Sequence, residues 1–220
     1  MPRIARIIAP GIPHHVTQRG NRRMETFFRE EDYQAYLTLM AEWCRKYNVA
    51  IWAYCLMTNH VHLIAVPETE EGLRLAFGEA HRRYSSVINR RQKWTGHLWQ
   101  GRFSSFSMDE TYLLAAVKYI EMNPVRAQLV SDPYAWQWSS TQAYAAGKDD
   151  LLVRVEPLLE IAGNWQQFLT DADEDDAQKI RGHERTGRAV GSETFLDLLE
   201  SALDRVVKPK KAGRKKRLTD

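Results

Sequence analysis

The chain reads as an α+β protein: a ferredoxin-like β-α-β-β-α-β sheet, a further helix crossing the open face of that sheet, and a helical C-terminal extension. Three observations predict this. Short apolar or alternating runs, bounded by Gly, Asn or Pro, are interleaved with two longer stretches in which apolar residues recur every three or four positions. Their order (strand, helix, two strands, helix, strand) is that of the split β-α-β unit, which sets its helices on one face of an antiparallel sheet. A third helical stretch follows the last strand directly, so it can cover the face that the other two leave free.

Each element carries its own signal. Residues 11–19 alternate weakly and stop at the turn pair Gly20-Asn21. Residues 30–47 place Tyr33, Tyr36, Leu37, Met40, Trp43 and Cys44 on one helical stripe, with Asn48 as the stop. Residues 49–56 and 60–66 are two strands parted by Thr58-Asn59, a hairpin spacing, and Pro67 closes the second. Residues 73–90 form a helix with Leu73, Phe77, Ala80, Tyr84, Val87 and Ile88 inward; His81, Arg82, Arg83, Arg90 and Arg91 lie on its other side, where the four arginines are as readily solvated as bound. Residues 97–108 are an irregular aromatic and basic segment leading into the fourth strand. Asp109 is suited to cap a helix over 110–121, whose buried face is Leu113, Ala116, Val117 and Ile120. Pro124 biases Asn123 away from helical geometry and sets the helix end nearby.

Beyond Pro124 the signals shorten. The aromatic stretch 133–138 is expected to pack the third helix down. Short helices are expected within 155–169, an acidic linker at 171–176, and a helix capped by Ser192 running to about residue 207. The expected division is a catalytic-type domain at 1–130, a helical extension at 131–207, and a disordered basic tail at 208–220.

Composition narrows the class. The 220 residues are 44% hydrophobic and 27% charged, with no apolar run long enough to span a bilayer. The first residues show no apolar leader, so no signal peptide is expected. The two cysteines, Cys44 and Cys55, suit free thiols in a reducing cytoplasm. The net charge of +3 is segregated: Lys+Arg against Asp+Glu is 18 to 15 in residues 1–150, 6 to 12 in 151–207, and 7 to 1 in 208–220. A basic tail behind an acidic segment suggests a polyanion partner.

The chemistry is expected where His60 and His62 stand two apart in a strand, because such residues share one face. Two neutral imidazoles on a rigid face suit a divalent cation. Taken alone, an H-x-H pair more often marks two hydrogen-bonded strand histidines. On the third helix, Tyr119 lies about 100° from Ile120, at the edge of the apolar face, so its ring can rest on the core and its hydroxyl can face the sheet. Residue 123 is one turn further along the same side. An Asn123 oxygen with two imidazoles makes a mixed N/O set suited to Mg²⁺ or Mn²⁺, with water and substrate completing the shell. The bland readings are a packing tyrosine and a helix C-cap.

These segments together resemble a known family. His60-Val61-His62 followed by Tyr119-Ile120-Glu121-Met122-Asn123-Pro124-Val125-Arg126 resembles the single-tyrosine HUH transposases. His97-Leu98-Trp99-Gln100-Gly101-Arg102-Phe103, the opening His15-Val16-Thr17-Gln18-Arg19-Gly20-Asn21, Met57-Thr58-Asn59-His60, Thr186-Gly187-Arg188 with Gly191, and the closing basic run are similar to its subgroup, the REP-associated tyrosine transposases. Many insertion-sequence relatives carry Gln four residues after the tyrosine; Asn123 stands here, as in the subgroup.

The resemblance implies a metal-dependent nuclease and strand transferase acting on single-stranded DNA with palindromic hairpins. Tyr119 would be the nucleophile, His60, His62 and Asn123 the metal ligands, and a 5′-phosphotyrosine the intermediate, with no nucleotide cofactor. No general base is identified. DNA contacts are expected from Arg19, Asn21, Arg22 and Arg23 at the end of the first strand, from Trp99 by stacking and Arg102 by phosphate contact, and from Lys210, Lys211, Arg214, Lys215, Lys216 and Arg217 in the tail. A monomer is expected, with a dimer as the alternative, in the cytoplasm and associated with the nucleoid. The alternative function is a non-catalytic hairpin-DNA binder or repressor on the same fold. An RRM-like RNA binder fits poorly, since histidines stand where stacking aromatics would be.

Overall fold

A computed structural model describes residues 6–170, 180, 182–183 and 186–208. Four strands form one antiparallel sheet: β1 His14–Arg19, β2 Val49–Met57, β3 His60–Pro67 and β4 Ser104–Ser107, in the order β2-β3-β1-β4. This is the strand order of the split β-α-β arrangement. The β2–β3 hairpin turns through Thr58-Asn59, with Met57 opposite His60. β4 is four residues long, and the segment before it stays irregular.

Period 2 divides the sheet. One face carries Val16, Val61 and Leu63, each with no exposed surface. The helices α1 Glu30–Lys46 and α2 Gly72–Gln92 pack on one another and on β2 and β3 to bury it. The other face carries His15, Thr17 and Arg19 from β1 and His60, His62 and Ile64 from β3, in register as Thr17 to His62 and Arg19 to His60. The helix α3 Glu110–Glu121 lies over this face, against β2 and β3. The Asp109 side chain accepts from Tyr112 N–H and so caps α3 as expected. α3 ends at Glu121, near Pro124 as expected, but Asn123 itself is helical. After Met122 the chain resumes as α4 Asn123–Arg126, because proline is tolerated in a first helical turn.

The extension closes the sheet at both edges. Residues 136–140 run along β2: Leu56 N–H donates to Trp138 O (2.8 Å) and Ser140 N–H to Tyr54 O (3.0 Å). Arg154 N–H donates to Ile51 O (2.8 Å) further along the same edge. On the opposite edge Val190 N–H donates to Ser107 O (2.9 Å) and Asp109 N–H to Val190 O (3.2 Å). Unpaired edge groups are a template for pairing with another chain, so this covering blunts both edges.

The aromatic stretch departs from expectation. Trp138 stacks on Tyr33 of α1 (4.6 Å between centroids) and Trp136 Nε1 donates to Leu56 O (3.1 Å), so the stretch packs on α1 and β2 instead of α3. What ties α3 to the extension is Glu121. Its carboxyl is fully buried and accepts from the Ser140 and Thr141 hydroxyls. Burial pushes its pKa up to about 7 against the lowering effect of those two bonds.

The described residues after 140 include the short helices α5 Thr141–Ala146, α6 Glu156–Ala162 and α7 Trp165–Thr170, and α8 Glu193–Leu203, capped by Ser192. The α8 residue Leu199 shares a small second core with Ile7, Ala9 and Val207. Among the described residues no helix is long and apolar enough to cross a membrane. The acidic stretch 171–176 and the tail residues Lys210, Lys211, Arg214, Lys215, Lys216 and Arg217 lie outside the described residues.

One ion pair joins the start of α1 to the end of α2. The Asp32 carboxylate, 3% exposed, takes both Arg91 guanidinium nitrogens and accepts from Phe28 N–H (2.9 Å). Burial alone would raise the Asp32 pKa, but the bonds from Arg91 and Phe28 and the charges of Arg91 and Arg29 outweigh it and hold it below 3.8. Its contribution is therefore present above the ordinary carboxylate range and lost as the pH falls through the depressed value. Replacing Arg91 by Met should leave that charge buried and cost about 2–3 kcal/mol in urea denaturation at pH 7, less than a fully buried pair because Arg91 is partly exposed.

Candidate active site

The site lies between the histidine face of the sheet and α3. His62 is 1% exposed, and its Nδ1 is 3.0 Å from Nε2 of His15 on the neighbouring strand. The His60 and His62 rings stand 4.9 Å apart at 80°. Nδ1 of His60 is 2.6 Å from Asn59 Oδ1. From above, Tyr119 sets its ring edge-on to His62 (5.4 Å, 88°) and to His15 (6.2 Å, 73°). Tyr119 is 7% exposed, at the rim of the core.

Arg126 completes the roof. Its guanidinium carbon lies 4.8 Å from the Tyr119 ring centroid, and the same group donates to the Tyr119 carbonyl. The turn through Met122 and Pro124 carries Arg126 back over the end of α3. A cation over an aromatic face is held by the ring quadrupole, so Arg126 restrains the tyrosine ring.

Burial keeps the imidazoles neutral. It lowers the pKa values of His15 and His60 to about 3, with the Arg19 charge adding to the effect at His60. His62 is lowered well below 6.5, by burial first and then by the charges of His60, His15, Arg19 and Arg126. Neutral imidazole is the form that ligates metals. Among the described residues no group of three or more His, Cys, Asp or Glu forms a metal cluster. A cation on His60 and His62 would therefore draw its other ligands from an amide, water or substrate. Asn123 suits that need: it is 9% exposed and its Nδ2 end is buried without a hydrogen bond among the described residues. The two ends of an amide are isosteric, so an oxygen can occupy the same place.

The remaining expected site residues divide. Arg19 lies opposite His60, and Asn21, Arg22 and Arg23 form the turn that follows, with Arg22 and Arg23 exposed. Arg102 is exposed. Trp99 is not placed to stack a base. It is 6% exposed and its ring packs on His81 (5.1 Å), Tyr84 (5.9 Å) and Tyr36 (6.2 Å), making it a core residue of the irregular segment.

Sequence reading missed His15 and Arg126 as parts of the site. The signal for His15 is its phase: it shares the parity of Thr17 and Arg19 in an alternating strand. Only the β1–β3 register, however, brings it to His62. The signal for Arg126 is seven-residue spacing from Tyr119, two helical turns that a proline would be expected to interrupt.

The family model described as "Transposase IS200 like" matches residues 10–123 of the chain. Among solved structures, a REP-associated tyrosine transposase bound to a REP hairpin is similar over 69% of this chain and 90% of that one, at 21% identity and a TM-score of 0.58. A second, described as a transposase from Deinococcus radiodurans R1, covers 55% of this chain and 96% of that one at 17% identity, with a TM-score of 0.39 that is too low to bear on the fold. No curated protein matches the chain.

The imidazoles of His15 and His60 should stay neutral at pH 5, where a free imidazole is mostly charged. Nitrogen-15 NMR of the side chains checks this, and a charged pattern at pH 5 would contradict the burial. Because their folded pKa values lie below 6.5, these groups withdraw stability as the pH falls from that value toward about 3.

Proposed function

Since the chain belongs to the family of IS200-like transposases, we propose that it is a metal-dependent endonuclease and strand transferase for single-stranded DNA, acting at palindromic hairpins through Tyr119. The observation that carries this reading is the packing of the Tyr119 ring against His62, on the sheet face that also bears His60. A tyrosine is thereby held beside two neutral imidazoles, and a cation–π contact restrains its ring.

In this reading His60, His62 and Asn123 hold Mg²⁺ or Mn²⁺. Bound there, the ion supplies Lewis-acid polarisation of a non-bridging phosphate oxygen. The Tyr119 oxygen attacks phosphorus in line, forming the P–O bond of a 5′-phosphotyrosine as the bond to the 3′ oxygen breaks. The phenolic proton passes to water, and the departing 3′ oxygen takes one up. A 3′-hydroxyl attacking the phosphotyrosine reverses the step and joins strands, so no nucleotide cofactor is needed. Arg126 keeps the ring in line for both directions.

Arg19, Asn21, Arg22 and Arg23 are assigned to the single-stranded flank, because their turn adjoins His60. Arg102 and the tail residues Lys210, Lys211, Arg214, Lys215, Lys216 and Arg217 are assigned to hairpin phosphates. The protein that shares this fold was solved with a REP hairpin, which supports the same class of partner here. Coverage of both sheet edges by the extension supports a monomer.

The test is a denaturing gel of the protein with labelled hairpin oligonucleotides and Mn²⁺. Label should remain on the protein, and fall to background with EDTA, Tyr119→Phe or His62→Ala. Tight hairpin binding without an adduct under any metal or flank would favour the non-catalytic binder instead. Deleting residues 208–220 should weaken binding and flatten its salt dependence while the adduct persists; an unchanged salt slope would remove the tail from the interface.

A further inference from the structure

Asn59 is the residue at which the histidine pair meets the arginine turn. Its Oδ1 lies 2.6 Å from His60 Nδ1, and its Nδ2 donates to the Arg23 main-chain carbonyl at 3.0 Å. The two contacts determine one another. A carbonyl only accepts, so the amide end facing Arg23 is the NH₂ group. The other end is then the oxygen, which also only accepts, so His60 Nδ1 must carry the hydrogen. An imidazole that ligates a metal is neutral, so a hydrogen on Nδ1 leaves the lone pair on Nε2. A hydrogen bond to an arginine carbonyl thus decides which nitrogen of His60 is available as a ligand.

The same amide supports a strained turn. Arg22 and Arg23 both adopt left-handed backbone, with φ of 54° and 63°, a conformation uncommon for residues other than glycine. It persists only where the surroundings over-determine it. Those surroundings are the tip of the β2–β3 hairpin. Gly20 N–H donates to Asn59 O (2.8 Å), and Thr26 and Phe27 N–H donate to Thr58 O (2.9 and 3.2 Å). A Cβ on Gly20 would stand 3.3 Å from Asn59 O of the hairpin and, within the turn's own segment, 2.2 Å from Met24 O and 2.8 Å from Thr26 Cγ2. Both arginine side chains project into solvent from this turn.

We propose that Asn59 is a positioning residue with two tasks: it orients His60, as the Nδ1–H tautomer, toward a divalent cation, and it holds the Arg22–Arg23 turn in the shape that meets DNA. One side chain then sets the ligand geometry and the nearest DNA-contacting residues together. The inference rests on the reading of His60 and His62 as metal ligands.

The test uses the full chain and reads binding, without turnover. Mn²⁺ alone is titrated into the wild type, His62→Ala, Asn59→Ala and Asn59→Asp, with free Mn²⁺ followed by electron paramagnetic resonance. Affinity for a labelled hairpin with a single-stranded flank is read by fluorescence anisotropy in EDTA. His62→Ala should lose Mn²⁺ binding. Asn59→Ala should weaken it about 10–100-fold, the usual effect of removing an outer partner of a ligand histidine. Asn59→Asp keeps an acceptor toward His60 and should recover Mn²⁺ affinity to within about threefold of wild type, which also shows that the variant site is folded. In EDTA, Asn59→Ala should lose as much hairpin affinity as the double variant Arg22→Ala/Arg23→Ala.

Wild-type Mn²⁺ affinity in Asn59→Ala, or no recovery in Asn59→Asp, would overturn the orienting task. Unchanged hairpin affinity in Asn59→Ala would overturn the second task. If His62→Ala binds Mn²⁺ as well as the wild type, the ligand reading itself is wrong, and that outcome is recognisable before any Asn59 variant is considered.

Discussion

The structure depends on laying a helix over a sheet face that carries three histidines. An apolar face would be buried at no polar cost. Here every imidazole must be neutral and hydrogen-bonded to be accommodated. His15 meets that demand through His62, and His60 through Asn59. The helix supplies the complementary surface, with Leu113, Ala116, Val117 and Ile120 in the core and Tyr119 at the margin. The polar cluster is thus enclosed by apolar packing on one side and opens where β1 ends and β3 begins.

That arrangement needs the helix to sit in one place. Three devices hold α3, each at a different point. Asp109 caps its start and also accepts from Ser192 N–H (2.8 Å), which brings the entry to α8 against it. Glu121 anchors its end to the Ser140 and Thr141 hydroxyls, and Arg126 closes over the tyrosine from α4. All three involve residues beyond 123, where the family match ends: Ser192, Ser140 with Thr141, and Arg126. Arg126 lends the site its guanidinium; the extension after it contributes without lending a side chain, closing both sheet edges and fixing the helix that bears the tyrosine.

Most of the fold was legible because period and punctuation carry it. The strands, the Thr58-Asn59 hairpin, the two long helices and the caps at Asp109 and Ser192 follow from local signals that the structure preserves. So does the shared face of His60 and His62, which needs only the alternation of one strand. What was not legible depends on register or on distant partners. His15 reaches His62 across 47 positions, and Glu121 finds its hydroxyls 19 and 20 residues on. Trp99 looked available because its segment is irregular and basic, yet an irregular segment can still bury its aromatic. The stretch 133–138 was correctly seen as packing and given the wrong partner, since nothing local distinguishes α3 from α1 and β2. Pro124 was rightly read as setting the end of the helix 110–121, but Asn123 was read as non-helical, although a proline within a first turn begins a helix as readily as it ends one.

The central claim is that Tyr119, among nine tyrosines, is the one that forms the bond to DNA. The direct measurement is mass spectrometry of peptides from the purified covalent protein–DNA product after nuclease trimming. The expected result is a residual nucleotide mass on the peptide containing Tyr119, localised to that residue by fragmentation. The same mass on Tyr112, on another tyrosine or on a serine would contradict it, because none of these packs its ring against His62 beneath Arg126 in the structure.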